Sequence, residues 1–218
     1  MSLPTILMMR IEAVREPSVR GGRFTVVLEG GERLRLERSV VEEFGVFAGR
    51  ELDDAMLQQI REANAGASAR ARAVRIVSAS NVSRQELRRR LVQKGETEAL
   101  ADEAVQWLTD LKLLDDLQTA KQAVQSAVRK GYGAARIRQI LCQKGIDRSL
   151  WDAAMEDMPP PDGAIDRFLA SRLKDRPPDE KELKRAIDAL LRRGHRWSDI
   201  RPALQRYTDA LDDRMEEL

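Results

Sequence analysis

The chain has 218 residues, 38 Lys plus Arg against 36 Asp plus Glu, 34% charged and only 4% aromatic. That length suits one or two domains, and the bias toward Ala, Leu, Arg and Glu favours surface-rich helices over a large β-sandwich or barrel. The single cysteine, Cys142, excludes an internal disulfide, the single histidine, His195, lacks companions for a zinc site, and no run of about eighteen apolar residues suggests a membrane span.

Residues 1–65 read as a small β-meander plus a helix. Met9, Ile11 and Ala13 alternate with charged residues, as do Phe24, Val26 and Leu28, and then Leu34 and Leu36. That period of two predicts three half-buried strands. Gly30-Gly31, between the last two runs, supplies the positive φ of a hairpin turn. Ser39 and Glu42 have capping-box spacing before a short turn with Val40, Val41 and Phe44, and Leu52, Met56 and Ile60 recur on one helix face. The small and polar stretch Asn64 to Ser68 predicts a boundary.

Beyond it the chain repeats. Gly95, Gly145 and Gly194 are offset by 50 and 49 residues; a leucine stands four before each (Leu91, Leu141, Leu190), a base one before, and an alanine nine after (Ala104, Ala154, Ala203). The leucine anchors a helix, the glycine ends it in the left-handed conformation, the base suits the helix dipole, and the alanine permits close helix approach. Three helices per unit follow, with three-helix repeats at 66–112, 113–158 and 159–218. Ser83 with Glu86, and Asp179 with Glu182, have capping-box spacing, while Asp162 is placed to cap the helix after Pro159-Pro160-Pro161. The predicted fold is mainly α: tandem three-helix repeats in an elongated, curved array, preceded by a small antiparallel β unit.

The strings SRQELRRRLVQKG at 83–95, LLDDLQTA at 113–120, RQILCQKGI at 138–146 and LLRRGHRWSDIRPAL at 190–204 resemble the RecX family. The resemblance covers about residues 70–207, with two departures: Glu96 after Gly95, where an apolar residue is usual, and Thr119 before Ala120, where an aromatic is common. It implies a regulator, not an enzyme, that binds the filament formed by the RecA recombinase on single-stranded DNA. Such a regulator lies in the filament groove and suppresses recombinase, ATPase and coprotease activities. A monomer in the cytoplasm is expected, with weak direct DNA binding and no membrane partner. The other reading is a general DNA-binding architectural protein without RecA.

The charge pattern points the same way. Residues 1–65 hold 9 bases and 11 acids, and 66–218 hold 29 and 25. Between Asp116 and Asp147 no acid interrupts Lys121, Arg129, Lys130, Arg136, Arg138 and Lys144, a concentrated positive field. The glycine-terminated helices of the outer units add Arg84, Arg88, Arg89 and Lys94, and Arg185, Arg192, Arg193 and Arg196. These are the candidate filament- and phosphate-binding residues. Residues 96–116 are acidic, which suits either a mixed-charge partner or internal ion pairs. Trp107, Trp151, Trp197 and Tyr207 fall at helix-periodic apolar positions and predict core packing, leaving Tyr132 as the aromatic to test for base stacking. Asp115-Asp116 reads as a helix start, His195 as a loop contact and Cys142 as a buried hydrophobe. No nucleophile motif, metal cluster or cofactor loop accompanies them, so no enzyme and no cofactor are predicted.

Overall fold

The computed structural model describes residues 8–19, 21–174 and 176–216. The chain separates into two compact units, residues 1–80 with 87–114, and residues 81–86 with 115–218.

The first unit begins with β1 (Met8–Arg15), β2 (Phe24–Leu28) and β3 (Arg33–Leu36), followed by α1 (Arg38–Glu43), β4 (Glu51–Asp53) and α2 (Asp54–Ala79). The strands form an antiparallel sheet in the order β3-β2-β1-β4, and Phe24, Val26 and Leu28 alternate inward as their spacing predicts. Strand β1 departs from strict alternation. A bulge between Ile11 and Ala13 shifts the register, so Val14 rather than Ala13 joins the core of Ile11, Val26, Leu36, Val40, Leu57 and Ile60.

Three local expectations for this unit are corrected. Leu52 belongs to β4, not to a helix, because Asp53 caps α2 by accepting the Met56 amide at 2.6 Å. Ser39 makes no cap: α1 starts at Arg38 with Glu37 before it and no side-chain cap. Asn64 to Ser68 form no linker but lie inside the 26-residue α2. Their polar groups face the sheet. The Asn64 carboxamide accepts the Glu37 amide at 2.9 Å and donates to the Arg35 carbonyl at 3.0 Å, while the Ser68 hydroxyl reaches the Glu37 carboxylate at 3.3 Å. Helix α2 continues, and α4 (Glu98–Asp110) packs against it. Ala69, Ala73, Ala101 and Ala104 are buried, and such small residues let helix axes approach.

Between them runs α3 (Arg84–Gln93). The second unit continues with α5 (Asp116–Arg129), α6 (Ala134–Gln143), a 3-10 turn at Arg148–Leu150 and α7 (Trp151–Met155); α8 (Asp162–Leu173), α9 (Glu180–Arg192) and α10 (Trp197–Glu216) follow. Each set of three encloses its own core: Ala120, Val124, Ile137 and Leu141 in one, Ile165, Leu169, Ala186, Leu190 and Ile200 in the next.

The repeat signature is visible in the backbone. Leu91, Leu141 and Leu190 are fully buried, and Gly95, Gly145 and Gly194 have φ of 94°, 68° and 86°. In each case the amide after the glycine donates to the carbonyl of that leucine, at 3.0–3.1 Å, closing a Schellman motif. The Asp179–Glu182 capping box forms in both directions, and the Ser83 hydroxyl accepts the Glu86 amide at 3.1 Å. Asp162 instead occupies the first turn of α8 after Pro161 and caps nothing.

Candidate nucleic-acid interface

Neighbouring repeats in the second unit meet end to end. The last carbonyls of α9 face the first amides of α6: Gly133 N–H donates to Arg193 O at 2.8 Å, and Ala135 N–H to Gly194 O at 3.2 Å. The segment before α3 uses the end of α6 in the same way, the buried Ser83 hydroxyl donating to the Lys144 carbonyl. Asp116 accepts the Arg84 amide at 2.9 Å, and Asp115 caps its own helix through the Gln118 amide at 2.9 Å. This docking satisfies helix-end groups that would otherwise be orphaned, and it sets which faces carry charge outward.

Within the acid-free segment the bases collect in three clefts. Lys130 and Lys144 line one of about 260 Å³ with Tyr132 and Asn81. Arg138 and Arg196 line a second of about 290 Å³ beside Pro159 to Pro161, and Lys121 and Arg129 line a third of about 270 Å³ with Asp157. Among the described residues none of these bases has a carboxylate within ion-pair distance. Arg136 donates to the Gln139 carboxamide at 3.1 Å and lies 6.0 Å from the Tyr132 ring. Arg192 and Arg196 are exposed, and exposed Arg185 lies close enough to Glu182 to hold its carboxyl below the ordinary range, after the larger effects of Arg176 and the Asp179 amide.

Other predicted residues are committed internally. Arg88 donates to Asp102 at 2.5 Å and to Glu98 at 3.2 Å; these hydrogen bonds, Asp102 first, raise its pKa. The acidic segment therefore serves in part as partner to bases of its own unit, and Arg72 Nε lies 2.8 Å from Glu96 likewise. Arg193 reaches the Lys130 carbonyl at 3.1 Å and stacks over Phe168 at 4.9 Å, so it ties two repeats together. His195 is buried with Nε2 at 3.1 Å from the Gly131 carbonyl, the expected loop contact. Arg84, Arg89 and Lys94 are exposed on α3 and the turn after it.

Three single-residue expectations change or sharpen. Cys142 is exposed, because Leu141 rather than its neighbour faces the core. Trp197 is 52% exposed at the start of α10, whereas Trp151 packs in the second repeat and Tyr207 in the third. Tyr132 is half-buried and lines two clefts, with the Arg136 guanidinium over its ring. A group of bases outside the expectation, Arg23, Arg72 and Arg75, joins Arg90 and Lys94 around one open cavity of about 580 Å³ in the first unit. No charge run marks it, since its members are scattered along the chain.

Among the described residues no cluster of three or more His, Cys, Asp or Glu can hold a metal ion, and no helix is long and apolar enough to cross a membrane. Models of the first and second three-helix domains of RecX match residues 69–108 and 115–155. The Regulatory protein RecX of Vibrio campbellii is 33% identical over 141 residues, and that of Shigella dysenteriae 37% over 150; each alignment spans 63% of this chain and 90% of the relative. A crystal structure of regulatory protein RecX superposes with a TM-score of 0.67 over 92% of this chain and 99% of that one at 22% identity. RecX from Lactobacillus salivarius gives 0.58 over 67% and 98% at 20% identity. Repeat glycines, end-to-end helix docking and these relatives agree: the chain belongs to the RecX family of non-enzymatic regulatory proteins.

Proposed function

We propose that this chain is a negative regulator of RecA that binds the RecA filament on single-stranded DNA in its groove and inhibits recombinase, ATPase and coprotease activities. Family membership supplies RecA as the target. The observation that carries the binding surface is the segment between Asp116 and Asp147, which brings Lys130 and Lys144 to one cleft and Arg138 to another beside Arg196 and Asp199, none of these bases having a carboxylate within ion-pair distance among the described residues. Desolvating an unpaired base against a phosphate or an acidic surface requires no internal ion pair to break first, which favours these bases over Arg88.

ATP belongs to RecA, and this chain works as a cytoplasmic monomer without a cofactor. The test is RecA's DNA-dependent ATP hydrolysis with the full chain added below RecA stoichiometry. A clear fall is expected, and unchanged hydrolysis at equimolar protein rejects the reading. Arg136, Arg138 and Lys144 changed to Glu should weaken inhibition more than Arg10, Arg33 and Arg35 changed to Glu; equal effects remove the positive segment as the contact. Tight, steeply salt-dependent duplex binding without any effect on RecA would favour the architectural reading instead.

A further inference from the structure

Two clefts of the second unit adjoin. The one of about 270 Å³ and the one of about 290 Å³ share Val128, Met158 and Pro159, so together they make a groove that begins on α5 and ends at the junction of the second and third repeats. Its floor follows from helix spacing, since Val124 and Val128 stand four apart on α5 and present one face. With them stand Met158 and the run Pro159 to Pro161. Val128 and Met158 are half-buried and Pro159 and Pro160 are exposed, so this apolar surface remains open. Three prolines in a row have a fixed φ and no backbone N–H. The wall is therefore stiff, and it offers an anion no amide to bind.

Each cleft carries two bases. Lys121 and Arg129 border the one on α5, eight residues apart and about 12 Å along the helix axis. Arg138 and Arg196 border the one at the junction. None of the four has a carboxylate within ion-pair distance among the described residues. Each cleft also holds one acid, Asp157 in the first and Asp199 in the second.

These features select among anions. A phosphate chain carries charge at every step, so it gains nothing from Val124, Val128 and Met158 and meets Asp157 and Asp199 as like charge. The cleft of Lys130 and Lys144 has no lining acid and suits phosphate better. A peptide spaces its charges. Its carboxylates can reach the bases while a bulky apolar side chain between them covers the floor, the arrangement of an anchor in a pocket with a charged rim.

We propose that this groove docks a partner protein through a short acidic segment with an apolar anchor. The carboxylates meet Lys121, Arg129, Arg138 and Arg196, and the anchor covers Val128 and Met158. The proposal rests on the reading above in taking this face as contact surface, and it adds the class of partner: a protein segment, recognised without DNA.

The test uses the full chain, with RecA and DNA omitted, and a short labelled peptide in which Asp and Glu flank a central Leu-Phe pair. Binding is read by fluorescence anisotropy. Replacing the central pair with Ser-Ser should weaken it about tenfold, because the apolar contact is lost. Lys121→Glu with Arg129→Glu should also weaken it about tenfold, through repulsion of the carboxylates. Lys121→Gln with Arg129→Gln should give a smaller loss in the same direction, and the urea midpoint of each variant reports folding. Arg33→Glu with Arg35→Glu, the same charge change on exposed β3, should lose clearly less. No binding, equal binding of the Ser-Ser peptide, or equal loss in the β3 control overturns the groove. A labelled oligo-dT that loses as much affinity as the peptide in the Lys121 and Arg129 variants assigns the groove to phosphate and overturns the protein partner. RecA's ATP hydrolysis is measured in parallel. A chain that inhibits RecA yet binds no peptide overturns this proposal alone, and a chain that binds the peptide yet leaves RecA unaffected overturns the regulatory reading alone.

Discussion

The Gly133 amide donates to the Arg193 carbonyl at 2.8 Å, across the junction between two repeats, and the two backbones approach so closely that neither side has room for a methyl group. A Cβ on Gly133 would stand 2.6 Å from the His195 nitrogen, and one on Gly194 would stand 2.7 Å from the Arg136 Cβ and closer still to its backbone nitrogen. Helix-end glycines in this chain therefore serve two purposes. They end a helix in the left-handed conformation, and at the junction they also admit the next repeat.

The two purposes separate by mutation. Gly95 has φ of 94° but nothing within 4 Å of where a methyl would stand, so Gly95→Ala costs backbone strain alone, about 1–2 kcal/mol. Gly133 lies outside the left-handed region, so the cost of Gly133→Ala is crowding, about 1–3 kcal/mol. Gly194→Ala combines both, about 2–5 kcal/mol. Urea unfolding should rank Gly194→Ala as the most damaging. If it is no worse than Gly95→Ala, the junction is looser than these distances imply.

Lys112 offers the opposite change. It stands at φ of 56°, where its own amide donates to Thr109 O at 2.9 Å and the Leu113 amide to Leu108 O at 2.9 Å, the same helix ending that glycine makes elsewhere. Its side chain is exposed. Lys112→Gly should therefore raise stability by about 1 kcal/mol, read as a higher thermal midpoint. A lower midpoint would mean the lysine makes a contact worth more than its strain.

Much of this architecture is legible in the sequence, and the failures have local causes. The alternation of Phe24, Val26 and Leu28 and the spacing of Leu91, Leu141 and Leu190 report burial directly, because strand and helix periods determine which side chains face inward. Strand β4 is only three residues long, too short for a period, and Leu52 falls by chance in register with α2. Asn64 to Ser68 resemble a linker because their polar groups are visible in the sequence while their partners, Glu37 and Arg35, are remote. The candidate site divides along the same line. Bases in the acid-free segment are contiguous and could be found; Arg23, Arg72 and Arg75 meet only through the fold, and Arg193 turns inward because Phe168 and the Lys130 carbonyl await it.

Acid should weaken the third repeat through Glu182. Its carboxyl is held below the ordinary range first by the Arg176 hydrogen bond and then by the Asp179 amide. A folded-state pKa below the unfolded one means that the unfolded chain binds more protons in this window, so stability rises with pH there. The contribution is present above the ordinary glutamate pKa of about 4.3 and is lost as pH falls through the lower folded value. Glu182→Gln should therefore be less stable than the parent near neutrality and converge with it below that range, in urea midpoints measured as a function of pH. A constant gap would place the loss in the uncharged cap geometry rather than in the charge.

Ser83 supplies the last test. Its hydroxyl is buried, accepts the Glu86 amide at 3.1 Å and donates to the Lys144 carbonyl, so a single oxygen begins α3 and closes the end of α6. Ser83→Ala removes a cap, about 1 kcal/mol, and leaves a carbonyl short of a donor, about 1–3 kcal/mol more. Ser39 is the control, since it is exposed and α1 has no side-chain cap. Ser39→Ala should stay within about 0.5 kcal/mol of the parent, as surface substitutions away from special features do. If Ser83→Ala unfolds no more easily than Ser39→Ala, the hydroxyl does not bridge the two helix ends. A substantial loss confined to Ser83 would locate a stabilising link at the start of α3.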